Sequence, residues 1–316
     1  MLVSIIIRTL NEDKHLDVLL SNIKSQEAAG LNYEIIVVDS GSDDHTLQIA
    51  ASHGCQILHI TREEFSFGRS LNVGCKAASG ELMVMISGHC VPTNKQWLKA
   101  LCQPLIQGKA SYIYGRQIGS PYSYYSECRI FAKYYPERSQ IPQEGFFCNN
   151  ANAAITRSAW KRYCFDEELT GLEDMELAKR LVNDGGKLGY IAEACVCHFH
   201  DESWSTVKRR FEREAIALQK IMPQVHIHKL DLIRYVVSSI WLDWIHAKKE
   251  GAFLEKAKEI IDYRLCQYWG SYRGNHNHRK LSHAQKEEYF YPNISGNSLG
   301  NSYEEDRRVV ADESQQ

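Results

Sequence analysis

The sequence predicts an α/β fold in which helices flank a mostly parallel, wound β-sheet, followed by a helical C-terminal region. Short apolar strand patterns alternate with helical patterns through the first third of the chain, which is typical of parallel strands joined by helical crossovers. Three of these strands, at residues 4–8, 34–38 and 82–86, end in polar loops. Open α/β sheets bind ligands at the carboxyl ends of their strands, so we expect one polar crevice there.

The elements of the first half are predicted from capping residues and apolar spacing. Asn11 is a good helix N-cap, and the apolar residues that follow it recur on one helical face. Ser70 is expected to cap a later helix, which Gly80 ends. The predicted strands cover residues 3–8, 34–39, 56–60 and 82–86, and the predicted helices begin near residues 12, 44, 70 and 97.

The pattern loosens after residue 116. The tyrosine-rich segment at 112–135 is expected to form loop and helix lining a substrate groove. Residues 148–155 are expected to form a strand whose asparagine amides face the crevice. A helix at 172–182 and a strand at 187–200 complete this part.

The last third of the chain changes character. Apolar residues between 233 and 245 form one stripe of an amphipathic helix. From residue 293 the chain is rich in Ser, Asn, Gly and charge, which predicts a disordered tail. The predicted organisation is therefore a catalytic domain at 1–215, a helical region at 216–292 and a tail at 293–316.

Composition excludes several classes of protein. A net charge of −2 over 316 residues provides no basic stripe, so we expect no nucleic-acid partner. No run of eighteen apolar residues is free of charge, which argues against a membrane span. The 10 cysteines include no Cys-x-x-Cys pair, and the chain opens directly on a strand pattern. We therefore expect reduced thiols in a cytoplasmic protein.

Three motifs, taken in this order, resemble those of the inverting glycosyltransferases of family two, which have the A-type nucleotide-sugar fold. They are Ile-Ile-Ile-Arg-Thr-Leu-Asn-Glu ending at Glu12, Glu-Ile-Ile-Val-Val-Asp-Ser-Gly-Ser-Asp ending at Asp43, and Gly-Leu-Glu-Asp ending at Asp174. The resemblance covers roughly residues 1–215. The segments at 65–72 and 87–92 are most similar to bacterial rhamnosyltransferase-type enzymes that build surface polysaccharides.

The resemblance implies donor-binding roles for polar residues at the three strand ends and on the helix that begins near residue 70. The first two strand ends would hold the base and ribose of the nucleotide, and the helix would meet the donor from the side. The implied donor-binding residues are Thr9, Asn11, Glu12, Asp39, Ser40, Asp43, Arg69, Asn72, Ser87 and Gly88.

The metal motif departs from the family pattern. The family has Asp-x-Asp where this chain has Ser87-Gly88-His89. Imidazole is a workable ligand for Mn²⁺ but a poor one for Mg²⁺, which prefers oxygen. We therefore expect His89 either to hold a divalent cation, Mn²⁺ or Mg²⁺, or to contact the donor diphosphate directly.

The run Cys195-Val-Cys197-His198-Phe-His200 has the composition of a zinc site. On a strand, however, the two cysteines face one side and the two histidines face the other, so the four cannot share one ion. We expect the cysteines to pack as small apolar residues. One histidine, with His198 favoured over His200, is expected to face the diphosphate or its metal, and a purely structural histidine is the alternative.

Two carboxylates begin the predicted helix at 172–182. The acceptor hydroxyl must lose a proton as it attacks the anomeric carbon, so the reaction needs a base. The resemblance implies that Asp174 is this base, with Glu173 beside it, and that a single displacement inverts the anomeric centre. At a helix N-terminus we expect Asp174 to be ionised at neutral pH. The alternative is that the pair merely charges a helix start.

Two further features remain open on sequence grounds. Trp241 and Trp244 are expected either to pack against the catalytic domain or to lie on a membrane surface near a lipid-linked acceptor, helped by Lys248 and Lys249. The basic run at 208–213 is expected either to be a solvated helix face or to hold a phosphate.

These features predict a cytoplasmic inverting glycosyltransferase, with peripheral contact to the inner face of the membrane as a further expectation. It would move a sugar from a nucleotide-sugar donor to an oligosaccharide or lipid-linked acceptor of a growing bacterial surface glycan. One alternative, a nucleotidyltransferase, would need a glycine-rich phosphate loop after the first strand, and residues 9–12 contain no glycine. The other alternative is a non-catalytic scaffold that binds nucleotide sugars, and the Glu173-Asp174 pair argues against it.

Overall fold

The structure, a computed structural model, describes residues 1–27 and 30–276 of the chain. Strands and helices alternate through the first part of this range, as predicted. In chain order the elements are β1 (Leu2–Thr9), α1 (Asp13–Lys24), β2 (Asn32–Asp39), α2 (Thr46–Ser52), β3 (Gln56–His59), α3 (Phe67–Ala77), β4 (Leu82–Ser87), β5 (Cys90–Pro92), α4 (Trp97–Ile106), β6 (Tyr112–Gly119), α5 (Tyr125–Tyr134), β7 (Asn152–Thr156), α6 (Arg157–Tyr163), α7 (Glu173–Asn183), β8 (Leu188–His198), α8 (Trp204–Ile221), α9 (Lys229–Lys249) and α10 (Phe253–Asn275).

The strands of the described residues form an eight-stranded sheet with the order β3-β2-β1-β4-β7-β6-β8-β5. β3, β2, β1 and β4 run parallel, whereas β7 is antiparallel to both of its neighbours. β6 and β8 are parallel again, and the short β5 pairs antiparallel with the end of β8. The predicted fold class, a mostly parallel sheet flanked by helices with further helices at the C-terminal side, is confirmed.

The register of the sheet brings the predicted polar strand ends side by side. Thr9 at the end of β1 pairs with Asp39 at the end of β2, and Arg8 pairs with Ser87 at the end of β4. Both faces of β1 are buried because successive side chains of a strand point to opposite sides. Ile5 and Ile7 therefore pack on one layer of helices and Ile6 on the other. The core thus holds the three strand ends in fixed positions.

Two predicted helix caps are wrong. α1 begins after Glu12 without a side-chain cap, and Asn11 has the left-handed φ of 56°. α3 begins earlier than predicted, because the Ser66 hydroxyl accepts a hydrogen bond from the Arg69 N–H (3.1 Å). Ser70 is buried within α3, and its hydroxyl donates to the Phe67 carbonyl (2.9 Å). In both places the course of the preceding loop, which the local sequence does not specify, decides which residue occupies the cap.

The tyrosine-rich segment does not form the predicted groove lining throughout. Tyr112 and Tyr114 lie on β6 and are buried in the core between the sheet and its helices. Tyr124 stacks on Trp204 at a centroid distance of 4.4 Å, which joins the start of α5 to α8. Aromatic burial, rather than substrate contact, accounts for these positions.

α8 runs across the boundary that was expected after residue 215. It packs closely on α10, because a Cβ atom on Gly270 would lie 2.3 Å from the Lys208 carbonyl oxygen and one on Gly274 would lie 2.1 Å from the Glu212 carbonyl oxygen. Residues 1–275 consequently form one compact unit. The segment from residue 293 that was predicted to be a tail lies outside the described residues.

The apolar stripe predicted between residues 233 and 245 is divided between two sides of α9. Trp244 is half-buried, and its indole N–H donates to the Ala257 carbonyl of α10 (3.2 Å). Ile233, Val237 and Trp241 instead remain 59%, 61% and 61% exposed. Within the described ranges, every helix is too short or too polar to cross a bilayer.

Asn152 provides a test of how β7 is held in the sheet. Its buried side chain accepts from the Trp97 indole N–H (2.9 Å) and donates to the carbonyls of Arg116 (3.0 Å) and Ala194 (2.7 Å). Because unsatisfied buried groups cost about 1–3 kcal/mol each, Asn152→Ala should lower the free energy of unfolding in urea by about 3 kcal/mol or more. Asn183→Ala, at an exposed position of α7, should change it by less than about 0.5 kcal/mol. Equal effects of the two variants would contradict this role.

Candidate active site

The side chains at the ends of β1 and β2 bind one another. Asp39 is 1% exposed, and its carboxylate accepts hydrogen bonds from the hydroxyls of Thr9 (3.1 Å) and Ser42 (2.5 Å). It also accepts from the backbone N–H groups of Gly41 and Ser42, both at 3.0 Å. The Ser40 hydroxyl donates to the Thr9 carbonyl (3.0 Å). Asp39 therefore fixes the loop that contains the predicted nucleoside-binding residues.

Asn11 joins this loop to the start of α1. Its backbone N–H donates to the Ser42 hydroxyl (2.9 Å), and its side-chain oxygen accepts from the Asp43 N–H (2.9 Å). Asp43 itself is exposed. With its left-handed backbone, Asn11 binds the loop after β2 rather than the first turn of α1, which explains why this residue does not cap the helix.

The two α3 residues that were expected to contact the donor have other partners. The Asn72 side-chain oxygen accepts from the Trp160 indole N–H (3.0 Å) and the Phe165 N–H (3.1 Å). Its NH₂ group donates to the Phe165 carbonyl and the Glu167 carboxylate, both at 2.9 Å. All four hydrogen-bonding positions of this amide are filled, so Asn72 holds α3 in place and has none left for a ligand. Arg69 pairs with Glu167 at 3.9 Å on the surface.

Ser87, Gly88 and His89 fold back against β1. The Gly88 N–H donates to the Arg8 carbonyl (3.2 Å), and a Cβ atom on Gly88 would lie 2.8 Å from Cγ of Glu12. This approach requires a glycine. It brings His89 to Glu12, whose Oε1 lies 2.6 Å from Nδ1 of the imidazole.

Three histidines meet beside this loop. Nitrogen atoms of His89, His198 and His200 all lie within 4.8 Å of one another. The rings of His89 and His198 stack at a centroid distance of 5.0 Å, and those of His198 and His200 lie 4.0 Å apart. His198 is the last residue of β8 and His200 lies two residues beyond it, and their rings lie 5.0 Å and 5.9 Å from the ring of His89. Among the described residues, the groups of side chains that could hold a metal ion include neither Cys195 nor Cys197.

His198 and His200 are each oriented by an oxygen acceptor. Nδ1 of His198 lies 2.7 Å from Oε1 of Gln117, and Nδ1 of His200 lies 2.7 Å from Oε1 of Glu127. Glu127 is 2% exposed and also accepts from the Arg210 guanidinium (2.6 Å). Arg210 belongs to the basic run at 208–213, and its partners are therefore carboxylates of the protein rather than solvent.

The surroundings of these groups shift their pKa values. Burial opposes the charged form of His89, but the Glu12 carboxylate outweighs burial and raises the pKa of His89. Burial, reinforced by the neighbouring cationic groups, lowers the pKa of His198 well below its usual value, so this ring is neutral. Burial also opposes the charge of Glu127, yet His200 and Arg210 lower the pKa of this carboxyl to about 2.

This group of histidines fits a divalent cation. Nε2 of His198 is buried, and it has no hydrogen-bond partner among residues 1–27 and 30–276. A neutral imidazole with its Nδ1–H bound to an oxygen presents a lone pair on Nε2, which is the state in which histidine binds metals. His89 and His198, the two predicted ligands, are thus together and suitably oriented.

The predicted catalytic pair begins α7 and is buried. Asp174 accepts from the backbone N–H groups of Asn150 (2.8 Å) and Met175 (2.7 Å). Burial and the adjacent Glu173 carboxylate raise the pKa of Asp174 to about 8, although both backbone hydrogen bonds and Arg8 favour its charged form. The pKa of Asp174 is thus raised, in the direction opposite to that expected from the helix N-terminus, because burial beside a second carboxylate outweighs it.

Arg8 links the two halves of the site. Its guanidinium lies 3.5 Å from the Glu173 carboxylate, and its carbonyl accepts from Gly88, which precedes His89. The Phe67 ring lies against two cations, with the Arg8 guanidinium 5.0 Å and the Arg213 guanidinium 4.6 Å from its centroid. Arg8 therefore connects the carboxylate pair with the loop that carries His89 and places positive charge between them.

Several residues of this site were not predicted. Arg8 lies inside the first motif. Its position directly before Thr9, at the end of a predicted strand, could have identified it as a site residue. Gln117 and Glu127 come from β6 and α5, and no local pattern marks them. Asn150, within the predicted asparagine-rich segment, contacts Asp174 through its backbone rather than its amide.

Comparison with known families identifies the first half of the chain. Residues 4–164 match the family model described as glycosyl transferase family 2. This match covers half of the chain. It includes the ends of β1, β2 and β4, where the donor-binding residues were predicted.

Two bacterial relatives have names that concern surface polysaccharide. The chain is 27% identical over 193 residues to the O-antigen chain rhamnosyltransferase WbaN of Salmonella anatum, covering 57% of this chain and 60% of that protein. It is 26% identical over 227 residues to the O-antigen chain rhamnosyltransferase RfbN of Salmonella typhimurium, covering 67% and 70%. The match thus spans less than two thirds of the length of the first relative.

Solved structures share the fold at low sequence identity. The mannosyltransferase PcManGT of Pyrobaculum calidifontis, in complex with GDP-Man and Mn²⁺, has a TM-score of 0.57 at 16% identity, covering 92% of this chain and 87% of that one. Glucosyl-3-phosphoglycerate synthase of Mycobacterium tuberculosis, with Mn²⁺ and UDP, has a TM-score of 0.52 at 18% identity, covering 69% and 79%. Together with the family match, these findings show that the chain belongs to glycosyl transferase family 2 and has the A-type fold that its motifs predict.

Proposed function

We propose that this chain transfers a sugar, with inversion, from a nucleotide-diphosphate donor to a growing bacterial surface polysaccharide such as O-antigen or to its lipid-linked precursor. The observation that carries the proposal is the position of Arg8, which contacts Glu173 of the Glu173-Asp174 pair and lies in β1 beside the ends of β2 and β4. The two rhamnosyltransferase relatives support a deoxyhexose as the transferred sugar.

The nucleoside of the donor is proposed to bind at the loop after β2. The hydrogen bonds of Asp39 hold this loop before any ligand arrives, so little ordering would remain at the moment of binding. Arg69 would lie at the margin of this site. The proposed donor-binding residues are Thr9, Asn11, Glu12, Asp39, Ser40, Asp43, Ser87 and Gly88.

The diphosphate of the donor is proposed to lie at His89 and His198. A divalent cation held there, Mn²⁺ or Mg²⁺, would neutralise charge that develops on the leaving diphosphate. The Arg8 guanidinium contributes fixed positive charge to the same crevice, and the orphaned Nε2 of His198 is available for a ligand. Two similar structures were solved with Mn²⁺ bound, which supports this use of the site.

Asp174 is proposed to take the proton of the acceptor hydroxyl. Its pKa of about 8 gives it more basicity than an ordinary carboxylate, since burial and Glu173 disfavour its charged form. The backbone bonds from Asn150 and Met175 fix the orientation of the carboxylate. The acceptor would therefore approach from the side of α7.

Asp174→Asn should separate binding from chemistry. The amide keeps the size of the side chain but cannot accept the proton, so we expect kcat to fall by about a hundredfold or more while the donor Kd stays nearly unchanged. Transfer by purified protein should be measured over a panel of nucleotide sugars with Mn²⁺ or Mg²⁺. Asp184→Asn, at the C-terminal end of α7, serves as the control. Nucleotide binding without turnover in the unmodified chain would favour the non-catalytic scaffold instead.

The raised pKa of Asp174 also predicts the pH dependence of the reaction. A base acts in its deprotonated form, and this form becomes the major one only above the pKa of about 8. We therefore expect kcat/KM, which reports groups of the free enzyme, to rise about tenfold per pH unit below pH 8 and to level off above it. A profile that is flat between pH 6 and pH 8 would exclude Asp174 as the titrating base.

We propose that α9 binds an anionic membrane surface and that the chain meets its acceptor there. Exposed apolar residues recur along this helix, and Leu230 is 80% exposed at its start. Exposed cations lie on the same helix, and the nearby acids have protein partners: Asp231 pairs with Arg234 (3.7 Å), and Glu250 accepts from the Tyr125 hydroxyl (2.8 Å). An apolar stripe flanked by cations suits anionic headgroups. The stripe is Leu230, Ile233, Val237 and Trp241, and the cations are Lys229, Arg234, Lys248 and Lys249.

Co-sedimentation with vesicles containing phosphatidylglycerol should test this surface. Val237→Asp should reduce partitioning by about tenfold, the equivalent of the burial of one valine side chain. Val18→Asp, at a similarly exposed valine on α1 (55% against 61%), should leave partitioning unchanged. Equal partitioning of both variants would overturn the proposal. If the unmodified chain is a dimer in solution and Val237→Asp alone is a monomer, a second copy of the chain covers α9 instead.

A further inference from the structure

We infer that His200 is a third ligand at the site of His89 and His198, and that this three-histidine centre selects transition-type divalent cations, such as Mn²⁺, Co²⁺ or Zn²⁺, against Mg²⁺. The use of the centre in sugar transfer rests on the proposed function. Its existence as a metal site does not, because it follows from the geometry of three imidazoles.

Backbone hydrogen bonds place the three rings on one side. Cys90 of β5 pairs with His198 of β8, and the Phe199 N–H donates to the His89 carbonyl (3.0 Å). His200 lies two residues beyond His198, the last residue of β8, and its ring lies 4.0 Å from the ring of His198. The nitrogens of all three then lie within 4.8 Å of one another, which is close enough for one ion to bind them together.

The hydrogen bonds of the rings assign their free nitrogens. Carboxylate oxygens can only accept, so Nδ1 of His89 donates to Glu12 (2.6 Å) and Nδ1 of His200 donates to Glu127 (2.7 Å). In the neutral rings each Nε2 then keeps its lone pair. One nitrogen of each ring lies within 4.8 Å of one nitrogen of each of the others, and a histidine oriented by an oxygen in this way is typical of metal sites.

Gln117 orients His198 in the same way. The NH₂ group of Gln117 donates to Oδ1 of Asn149 (3.1 Å), and this oxygen also accepts from the Ala151 N–H (2.9 Å). The Gln117 oxygen is therefore the atom that faces Nδ1 of His198 (2.7 Å). Nε2 of His198, buried and without a partner in the described part of the chain, is left available for a ligand.

A second group of side chains that could hold a metal ion consists of Glu127, His200 and Glu202. Its carboxylates, however, are bound by a cation of the protein: the Arg210 guanidinium lies 2.6 Å from Glu127 and 2.7 Å from Glu202. A metal ion placed there would be repelled by Arg210. His200 is thus free for the histidine centre, with Glu127 behind it.

The donor set determines the class of metal. Mg²⁺ prefers oxygen ligands in octahedral geometry, whereas imidazole suits Mn²⁺, Co²⁺ and Zn²⁺. Three protein ligands also leave coordination positions open for oxygen atoms of a substrate. Imidazole at residue 89 in place of a carboxylate therefore changes which metal binds rather than removing the site.

Metal binding to the full chain, stripped with a chelator and free of donor and acceptor, tests the centre. We expect one equivalent of Co²⁺ to bind with visible d–d absorption bands, and millimolar Mg²⁺ should not displace it. His200→Ala should weaken Co²⁺ binding at least tenfold, as should His198→Ala. His53→Ala, whose imidazole pairs with Asp17 away from the cluster (2.8 Å), should have no effect. Unchanged Co²⁺ affinity in His200→Ala, or displacement by Mg²⁺, would overturn the inference.

X-ray absorption of the unmodified chain loaded with Zn²⁺ keeps the test independent of any variant's folding. Scattering from three imidazoles is expected, and two or fewer would exclude His200. Gln117→Leu should weaken binding tenfold to a hundredfold and shift the Co²⁺ spectrum, and Gln117→Glu should restore both, since it returns an oxygen acceptor. Because no sugar transfer is measured, failure of this inference and failure of the proposed function are distinguishable.

Discussion

The site depends on the contact of the loop after β4 with β1. The Gly88 N–H binds the Arg8 carbonyl, and Glu12 occupies the space where any other residue at position 88 would place its Cβ. This close approach has two consequences. It sets His89 against the Glu12 carboxylate, and it keeps Arg8 in the crevice with its guanidinium toward Glu173. A larger residue at position 88 would separate the imidazole from its acceptor and widen the crevice.

In the proposed reaction, the two ends of the site would meet opposite electrostatic demands. A leaving diphosphate requires positive charge, whereas a base requires an environment in which its own charge is not overly stabilised. Burial and Glu173 raise the pKa of Asp174 at one end. Arg8, which pairs with Glu173, partly offsets this rise, but burial and the Glu173 carboxylate outweigh it. One guanidinium thus contributes positive charge to the crevice while Asp174 retains its basicity.

Sequence analysis predicts the elements and strand ends that follow from the spacing of apolar residues. It fails for side chains whose partners lie far away in the sequence. Strand ends at Thr9 and Asp39 follow from apolar runs that stop at polar residues, and parallel pairing then makes them neighbours. Asn72 was misjudged because an amide on a polar helix has no local mark that distinguishes a ligand contact from four internal hydrogen bonds. The stripe on α9 was predicted as one surface, but only the packing of α10 shows that Trp244 is covered and Trp241 is not.

The resemblance implies Asp-x-Asp at the position of Ser87-Gly88-His89, and the proposed metal site would therefore lack up to two negative charges. The structure shows where negative charge returns. Glu12 stands behind His89 and Glu127 stands behind His200, each within hydrogen-bond distance of Nδ1. A carboxylate behind an imidazole raises the basicity of the opposite nitrogen. The negative charge is therefore displaced outward by one side chain rather than lost, and a neutral Gln117 suffices for the third ring. In the proposed function, this arrangement would keep a divalent cation and a diphosphate electrostatically compatible while nitrogen ligands take the place of oxygen ligands.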